Sequence, residues 1–166
     1  MLRWEKFLLV SFLGVVGLLV LAPWLSPPLA HLASLRGSNP PVTGNITAPP
    51  DVAAVLRRSC YDCHSNETRW PWYSSVAPIS WMIAHDVERG RQEVNFSEWT
   101  AYVPVTRKRK LQWIERALHE HVMPPGLYRL LHPDARLTEQ DISRLEHWLQ
   151  AQLAELPHTS PHQESP

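Results

Sequence analysis

Residues 60–64 read Cys60-Tyr61-Asp62-Cys63-His64, and this stretch governs how the rest of the chain is interpreted. The spacing C-x-x-C-H is typical of covalent attachment of c-type haem. Two thiols three residues apart on a helical turn project to the same side, where each can bond one vinyl group of a porphyrin edge. The adjacent His64 can then act as the proximal iron ligand. The motif predicts one haem c, held by Cys60, Cys63 and His64.

Three other interpretations of the two cysteines stay open. A C-x-x-C pair can be a redox dithiol, although a thioredoxin-like site expects βαβ surroundings, for which the sequence shows no signal. The pair can also be half of a zinc site, which needs a second pair of ligands. His119 and His121 are the closest approach to such a pair. Finally, the pattern can arise by chance.

Met123 is the predicted sixth ligand of the iron, on the distal side. It lies in His121-Val122-Met123-Pro124-Pro125-Gly126, where two prolines stiffen the loop and remove two backbone donors. A thioether ligand raises the reduction potential relative to a second histidine. Met82 lies in a predicted helix, where methionine is more often core filler. The rival ligands, in order, are His85, His121 and His132, and an open or water-bound site is a further alternative.

Groups around the predicted haem can also be proposed from the sequence. A ligating histidine usually donates its other ring N–H to a carbonyl, and the carbonyl of Pro78 is the candidate for His64. The basic run 107–110 can dock an acidic redox partner or meet the haem propionates, although a solvated helix end is the favoured interpretation. The tryptophans that can wall the haem, or simply pack the core, are Trp70, Trp72, Trp81, Trp99 and Trp113.

The chain from Asp51 to about Leu156 shows helical spacing and almost no strand alternation. Asp51 can cap a first helix that brings Cys60 and Cys63 onto one apolar face. Gly90 is the predicted stop of a second helix. The predicted helices begin at Asp51, Ser80, Thr106 and Thr138, the last with a capping box of Thr138 and Asp141. This predicts an all-α, cytochrome c-like bundle of about four short helices around one covalent haem.

The N-terminus predicts a membrane anchor in front of this bundle. Residues 7–22 carry no charge and no proline, while Arg3 and Lys6 precede them. Trp24 and Leu25 extend the apolar run to 19 positions, interrupted by Pro23, which matches the length of a transmembrane helix. The positive-inside rule places the haem domain on the outer, periplasmic side of the cytoplasmic membrane. A cleaved signal peptide is the competing interpretation. The predicted domains are 1–25 as anchor, 26–50 as a Pro-rich tether, 51–156 as the haem domain and 157–166 as a disordered tail.

Composition excludes some classes of protein. Lys plus Arg equals Asp plus Glu at 16 each, and this zero net charge gives no support to a nucleic-acid binder. Two cysteines are too few for a disulfide-stapled secreted scaffold.

The chain resembles the bacterial haem-binding domain family, small exported or membrane-anchored proteins with a single C-x-x-C-H. The matching stretches are CYDCHSNETRWPWYSSVAPISW, HDVERGRQEVNFSEW and MPPGLYRLLHPDARLTEQDISRLEHWL. The layout is also similar to a class I cytochrome c. The resemblance implies that Cys60 and Cys63 are the attachment thiols, His64 the proximal ligand and Met123 the distal one; His85 matches as well, without a known role.

These observations predict a monohaem c-type cytochrome that transfers single electrons to redox partner proteins. It would be a metal-binding electron carrier rather than an enzyme. The alternative is a haem enzyme, or a gas or redox sensor, with an exchangeable sixth ligand. A dihaem peroxidase needs a second C-x-x-C-H, which this sequence lacks.

Overall fold

The structure is a computed structural model that describes residues 2–25 and 37–157. These ranges contain seven α-helices and no strand, so the predicted all-α class agrees with the architecture. The helices are α1 (Leu2–Leu25), α2 (Pro50–Ser59), α3 (Tyr61–His64), α4 (Ile79–Glu93), α5 (Pro104–His119), α6 (Gly126–Leu131) and α7 (Glu139–Glu155). Short 3₁₀ helices cover Trp72–Ser75, Trp99–Ala101 and Pro133–Ala135.

The predicted transmembrane helix is wrong. A helix that crosses a bilayer needs about 20 consecutive apolar residues. Within the part of the chain that the structure describes, no helix is both long enough and apolar enough to cross a membrane. This finding also corrects the predicted membrane partner and the predicted single-pass location with an outer haem domain.

The chain divides into two compact units. One comprises Met1–Asn39 and Arg69–Arg89, and the other Pro40–Thr68 and Gly90–Pro166, each as far as it is described. Most of the predicted tail, from residue 158, and residues 26–36 of the predicted tether lie outside the described residues. The motif 60–64 and Met123 belong to the second unit.

The core of the second unit forms where α2, α5 and α7 pack together. Proline at the start of α2 is compatible with a helical first turn, because the missing N–H has no partner there anyway. Val52, Val55 and Leu56 then recur on one face and are buried. The other fully or nearly buried apolar residues of this core are Ile46, Tyr61, Val94, Phe96, Trp99, Leu111, Leu118, Leu145, Trp148 and Leu149.

Residues 43–46, which were predicted to belong to a tether, are part of the second unit and contact its core. The amides of Thr43 and Gly44 donate to the carbonyl of Ser97, at 3.0 Å each, and the amide of Ile46 donates to the carbonyl of Phe96 at 2.9 Å. Ile46 is buried in the core. A single apolar residue among prolines shows no periodicity, so the sequence carries no pattern that reveals this contact.

Helix α7 begins with the predicted capping box. The Thr138 hydroxyl accepts from the Asp141 amide at 3.1 Å, and the Asp141 carboxylate accepts from the Thr138 amide at 2.9 Å. Desolvation raises the pKa of Asp141, but the hydrogen bonds from Thr138 and the charge of Arg58 outweigh it and leave the pKa below its usual range. Arg58 thereby also ties α2 to the start of α7.

We expect Thr138→Ala to lower the free energy of unfolding by about 1 kcal/mol, because one helix-terminal amide loses its acceptor. Urea unfolding followed by circular dichroism measures this change. Ser143→Ala, at an exposed position inside the same helix, is the matched control and should change stability by less than about 0.5 kcal/mol. An equal loss in the two variants would contradict the capping role.

Candidate haem-binding site

The motif 60–64 lies at a break between two helices. Helix α2 ends at Ser59, Cys60 leaves helical geometry at φ −126° and ψ −37°, and α3 begins at Tyr61. The amides of Cys63 and His64 both donate to the carbonyl of Cys60, at 3.2 and 2.9 Å, which holds the motif in one tight turn. Cys60 and Cys63 are both half-buried residues of this turn.

The environment of Cys60 favours the neutral thiol in the haem-free chain. Burial of the sulfur and the neighbouring Cys63 raise the pKa of the Cys60 thiol to about 12. A redox dithiol or a zinc ligand acts as a thiolate, which a lowered pKa favours. Within the described ranges, no cluster of three or more metal-ligating side chains is present either.

His64 is buried and held through one ring nitrogen. Its Nδ1 lies 2.8 Å from the carbonyl oxygen of Gly90 and 3.2 Å from that of Val94. Carbonyl oxygens only accept, so Nδ1 carries the proton and Nε2 keeps its lone pair. Burial lowers the pKa of His64, and the two carbonyl contacts oppose this only in part, so the neutral imidazole is favoured. A neutral imidazole with an available Nε2 is the form that binds iron.

The carbonyl that orients His64 is not that of Pro78, and the predicted helix stop at Gly90 is also wrong. Helix α4 continues through Gly90 to Glu93. The glycine is needed for space, because a Cβ there would lie 2.5 Å from the carbonyl oxygen of Cys63. Gly90 thus allows α4 to approach the motif closely enough for its own carbonyl to reach His64.

Aromatic rings pack against the imidazole of His64. The ring of Trp113 lies 5.8 Å from it between centroids, and that of Phe96 lies 6.2 Å away. The amide of Phe96 also donates to the carbonyl of His64 at 2.7 Å. Of the five tryptophans considered above, Trp113 therefore contacts the histidine, whereas Trp99 packs edge-on against Tyr102 in the core and the other three are in the first unit.

The Met123 segment, residues 121–131, begins where α5 ends. The amide of His121 donates to the carbonyl of Leu118 at 3.0 Å, and that of Val122 donates to Ala117 at 3.2 Å. His121 has a positive φ of 52°. This is a Schellman end, in which a residue in the left-handed region turns the chain sharply out of the helix. This turn fixes the direction in which the chain that leads to Met123 leaves α5.

Met123 lines a cavity of about 370 Å³. The remaining lining residues are His121, Pro124, Gly126, Arg129, Leu130, Arg136, Leu137 and Ile142. The lining includes no residue of the motif 60–64. A different contact links the two regions: the hydroxyl of Tyr128 donates to the carboxylate of Asp62 at 2.7 Å. The rival ligand His85 is exposed on α4, as is Met82.

Comparison with known protein families gives one match: a haem-binding domain profile covers residues 21–151 of the chain. The chain belongs to the haem-binding domain family. Haem is therefore the ligand of this haem-binding domain. No curated protein and no solved structure matches the chain.

The residues of this haem-binding domain are suited to holding a haem. His64 offers one neutral imidazole nitrogen, and Cys60 and Cys63 offer thiols on the same tight turn. Large apolar side chains on the Met123 segment are uncovered: Val122 is 52 % exposed, and Leu130 is 65 % exposed. Exposed apolar side chains next to a cavity are typical of a ligand-binding surface. Sequence reasoning missed Gly90 and the Asp62–Tyr128 contact, which pair residues 27 or more positions apart.

Proposed function

We propose that this haem-binding domain is a monohaem c-type cytochrome that passes single electrons between redox partner proteins. In this proposal Cys60 and Cys63 form thioether links, His64 is the proximal ligand and Met123 is the distal ligand. Bound haem supplies the one-electron chemistry. The protein residues attach it, orient the two ligands and limit access of water.

The observation that carries the proposal is the state of His64. Its Nδ1–H is anchored on two backbone carbonyls of α4 and the residue after it, so the ring cannot rotate without losing both contacts. A ligating histidine in proteins is typically oriented by a hydrogen bond of this kind, which also raises its basicity as a ligand. Burial lowers the pKa of His64 and so disfavours the imidazolium form, which would compete with metal binding.

Electron transfer requires that both axial positions stay filled, and the location of Met123 supports this. Its side chain is partly buried and lines the cavity together with Pro124, Leu137 and Ile142. The second candidate function, a haem enzyme or sensor with an exchangeable sixth ligand, is favoured by the cavity that Met123 lines, since a small molecule has room there.

Carbon monoxide binding to the reduced protein separates the two functions. The protein is produced in a host that attaches haem, purified as the full chain and reduced before mixing. Slow or absent binding is expected for the electron carrier, because the methionine must leave first. Rapid stoichiometric binding would instead identify the enzyme or sensor.

We expect Met123→Ala to keep the haem attached but to lower the reduction potential and open the iron to external ligands. If the open form of the parent protein is at most about one in ten, apparent affinity for carbon monoxide rises at least ~10-fold. Potentiometry and ligand titration measure both effects. Met82→Ala, at an exposed position of α4, is the matched control and should behave like the parent. An unchanged ferric spectrum in Met123→Ala would exclude Met123 as ligand and make His85 the next variant.

A further inference from the structure

Helix α6, which follows Met123, has little anchorage of its own. It is six residues long, none of its residues is buried, and its N-cap, Pro125, offers no side-chain cap. Short helices without a buried face are marginal in water and open readily. Contacts made by individual side chains therefore decide how firmly the Met123 segment is held.

Tyr128 makes the contact that reaches from α6 to the haem-attachment motif. Its hydroxyl donates to the Asp62 carboxylate at 2.7 Å, the usual length of an O–H···O hydrogen bond. The ring of Tyr128 stacks on His132, with 4.3 Å between centroids and 19° between planes, which fixes the direction of the hydroxyl. His132 therefore keeps the donor ring of this hydrogen bond in place.

Asp62 is a rigid acceptor. It lies between Cys60 and Cys63 and is 7 % exposed. Its carbonyl accepts from the Thr68 hydroxyl at 2.8 Å, which fixes the backbone of the motif at that point. Because Asp62 belongs to the same turn as the attachment thiols, whatever binds its carboxylate is located relative to that turn.

We propose that Asp62 and Tyr128 are positioning residues that hold the Met123 segment against the haem-attachment motif, and so keep the sixth ligand in place. This inference rests on the proposed function, in which Met123 is the distal ligand. Neither residue touches the reacting atoms. They act by lowering the population of a form in which the segment, and with it Met123, has moved away.

The test uses the full-length haem-loaded protein and Tyr128→Phe, which removes only the hydroxyl. We expect the rate of carbon monoxide binding to the reduced protein to rise several-fold, up to roughly 10-fold, because an ordinary hydrogen bond biases an equilibrium by up to about that factor. Amide hydrogen exchange over residues 126–131 should accelerate in parallel. Asp62→Ala should reproduce both effects, whereas Asp62→Asn, which keeps an acceptor oxygen, should largely restore parent behaviour.

The double variant and a control make the test specific. Combining Asp62→Ala with Tyr128→Phe should add nothing to either single change. Tyr102→Phe also removes a tyrosine hydroxyl, one that accepts from the Asn95 amide at 3.1 Å, but away from the Met123 segment. It should leave the binding rate unchanged.

Two results would overturn the proposal: parent-like exchange and binding in Tyr128→Phe, or an equal acceleration in Tyr102→Phe. Failure of the proposed function looks different. If Met123→Ala binds carbon monoxide like the parent, Met123 is not the ligand. Hydrogen exchange over 126–131 then still decides whether Asp62 and Tyr128 hold the segment.

Discussion

Replacing both Cys60 and Cys63 with alanine is expected to abolish covalent haem entirely. In the proposed attachment each thiol supplies one thioether link, and the sequence holds no other cysteine. Intact mass spectrometry of the parent protein, made in a host that attaches haem, should give the polypeptide plus one haem. The double variant should give the polypeptide alone, and haem staining after denaturing electrophoresis should disappear.

The single variants Cys60→Ala and Cys63→Ala are the matched controls. Each keeps one thiol next to His64 and should retain haem through one link at reduced yield. A parent protein whose mass equals that of the bare polypeptide would contradict covalent attachment.

The raised pKa of Cys60 adds a second observable. Without haem, this thiol should alkylate slowly at neutral pH, since the thiolate is the reactive form.

The second large effect is expected from Gly90→Ala. In an ordinary helix this change stabilises by up to about 1 kcal/mol. Here the added Cβ meets the carbonyl oxygen of Cys63 at 2.5 Å and the Cβ of Cys63 at 3.1 Å. The sign therefore reverses, and we expect a loss of about 1–3 kcal/mol in the free energy of unfolding. Denaturant unfolding of the haem-loaded protein measures it.

The same substitution should also disturb His64, the proposed proximal ligand of the haem. Moving α4 away from the motif withdraws the Gly90 carbonyl from Nδ1 of His64, so the reduction potential should shift as well. Gly126→Ala is the control, because a Cβ there would meet only an Arg129 nitrogen, at an ordinary van der Waals distance of 3.9 Å. Stability of Gly90→Ala at or above that of the parent would show that the close approach is not required.

Features encoded by neighbouring residues could be predicted from the sequence. The capping box of α7 needs only Thr138 and Asp141, three residues apart, and the structure has it. The predicted cap at Asp51 is wrong, because α2 already begins at Pro50 and its N-cap, Pro49, makes no side-chain hydrogen bond. Helix α6 was beyond such rules, because six residues complete too few turns to show a period.

Features that depend on distant partners could not be predicted. A glycine that ends a helix and a glycine that admits a neighbouring backbone look alike in sequence, so Gly90 was assigned the wrong role. The carbonyl that orients His64 lies 26 residues away, and no local pattern distinguishes it from that of Pro78. Trp113 likewise gained its place beside His64 only through the packing of α5.

The hydrogen bonds between residues 43–46 and 96–97 set a practical limit on trimming the protein. A fragment that starts at Asp51 loses the Ile46 side chain from the interior and leaves the carbonyls of Phe96 and Ser97 without their amide donors. Such a fragment exposes a groove where Ile46 had been. A fragment that keeps these contacts of the second unit accordingly begins ahead of Thr43. An N-terminal fusion partner or affinity tag is best joined upstream of that point.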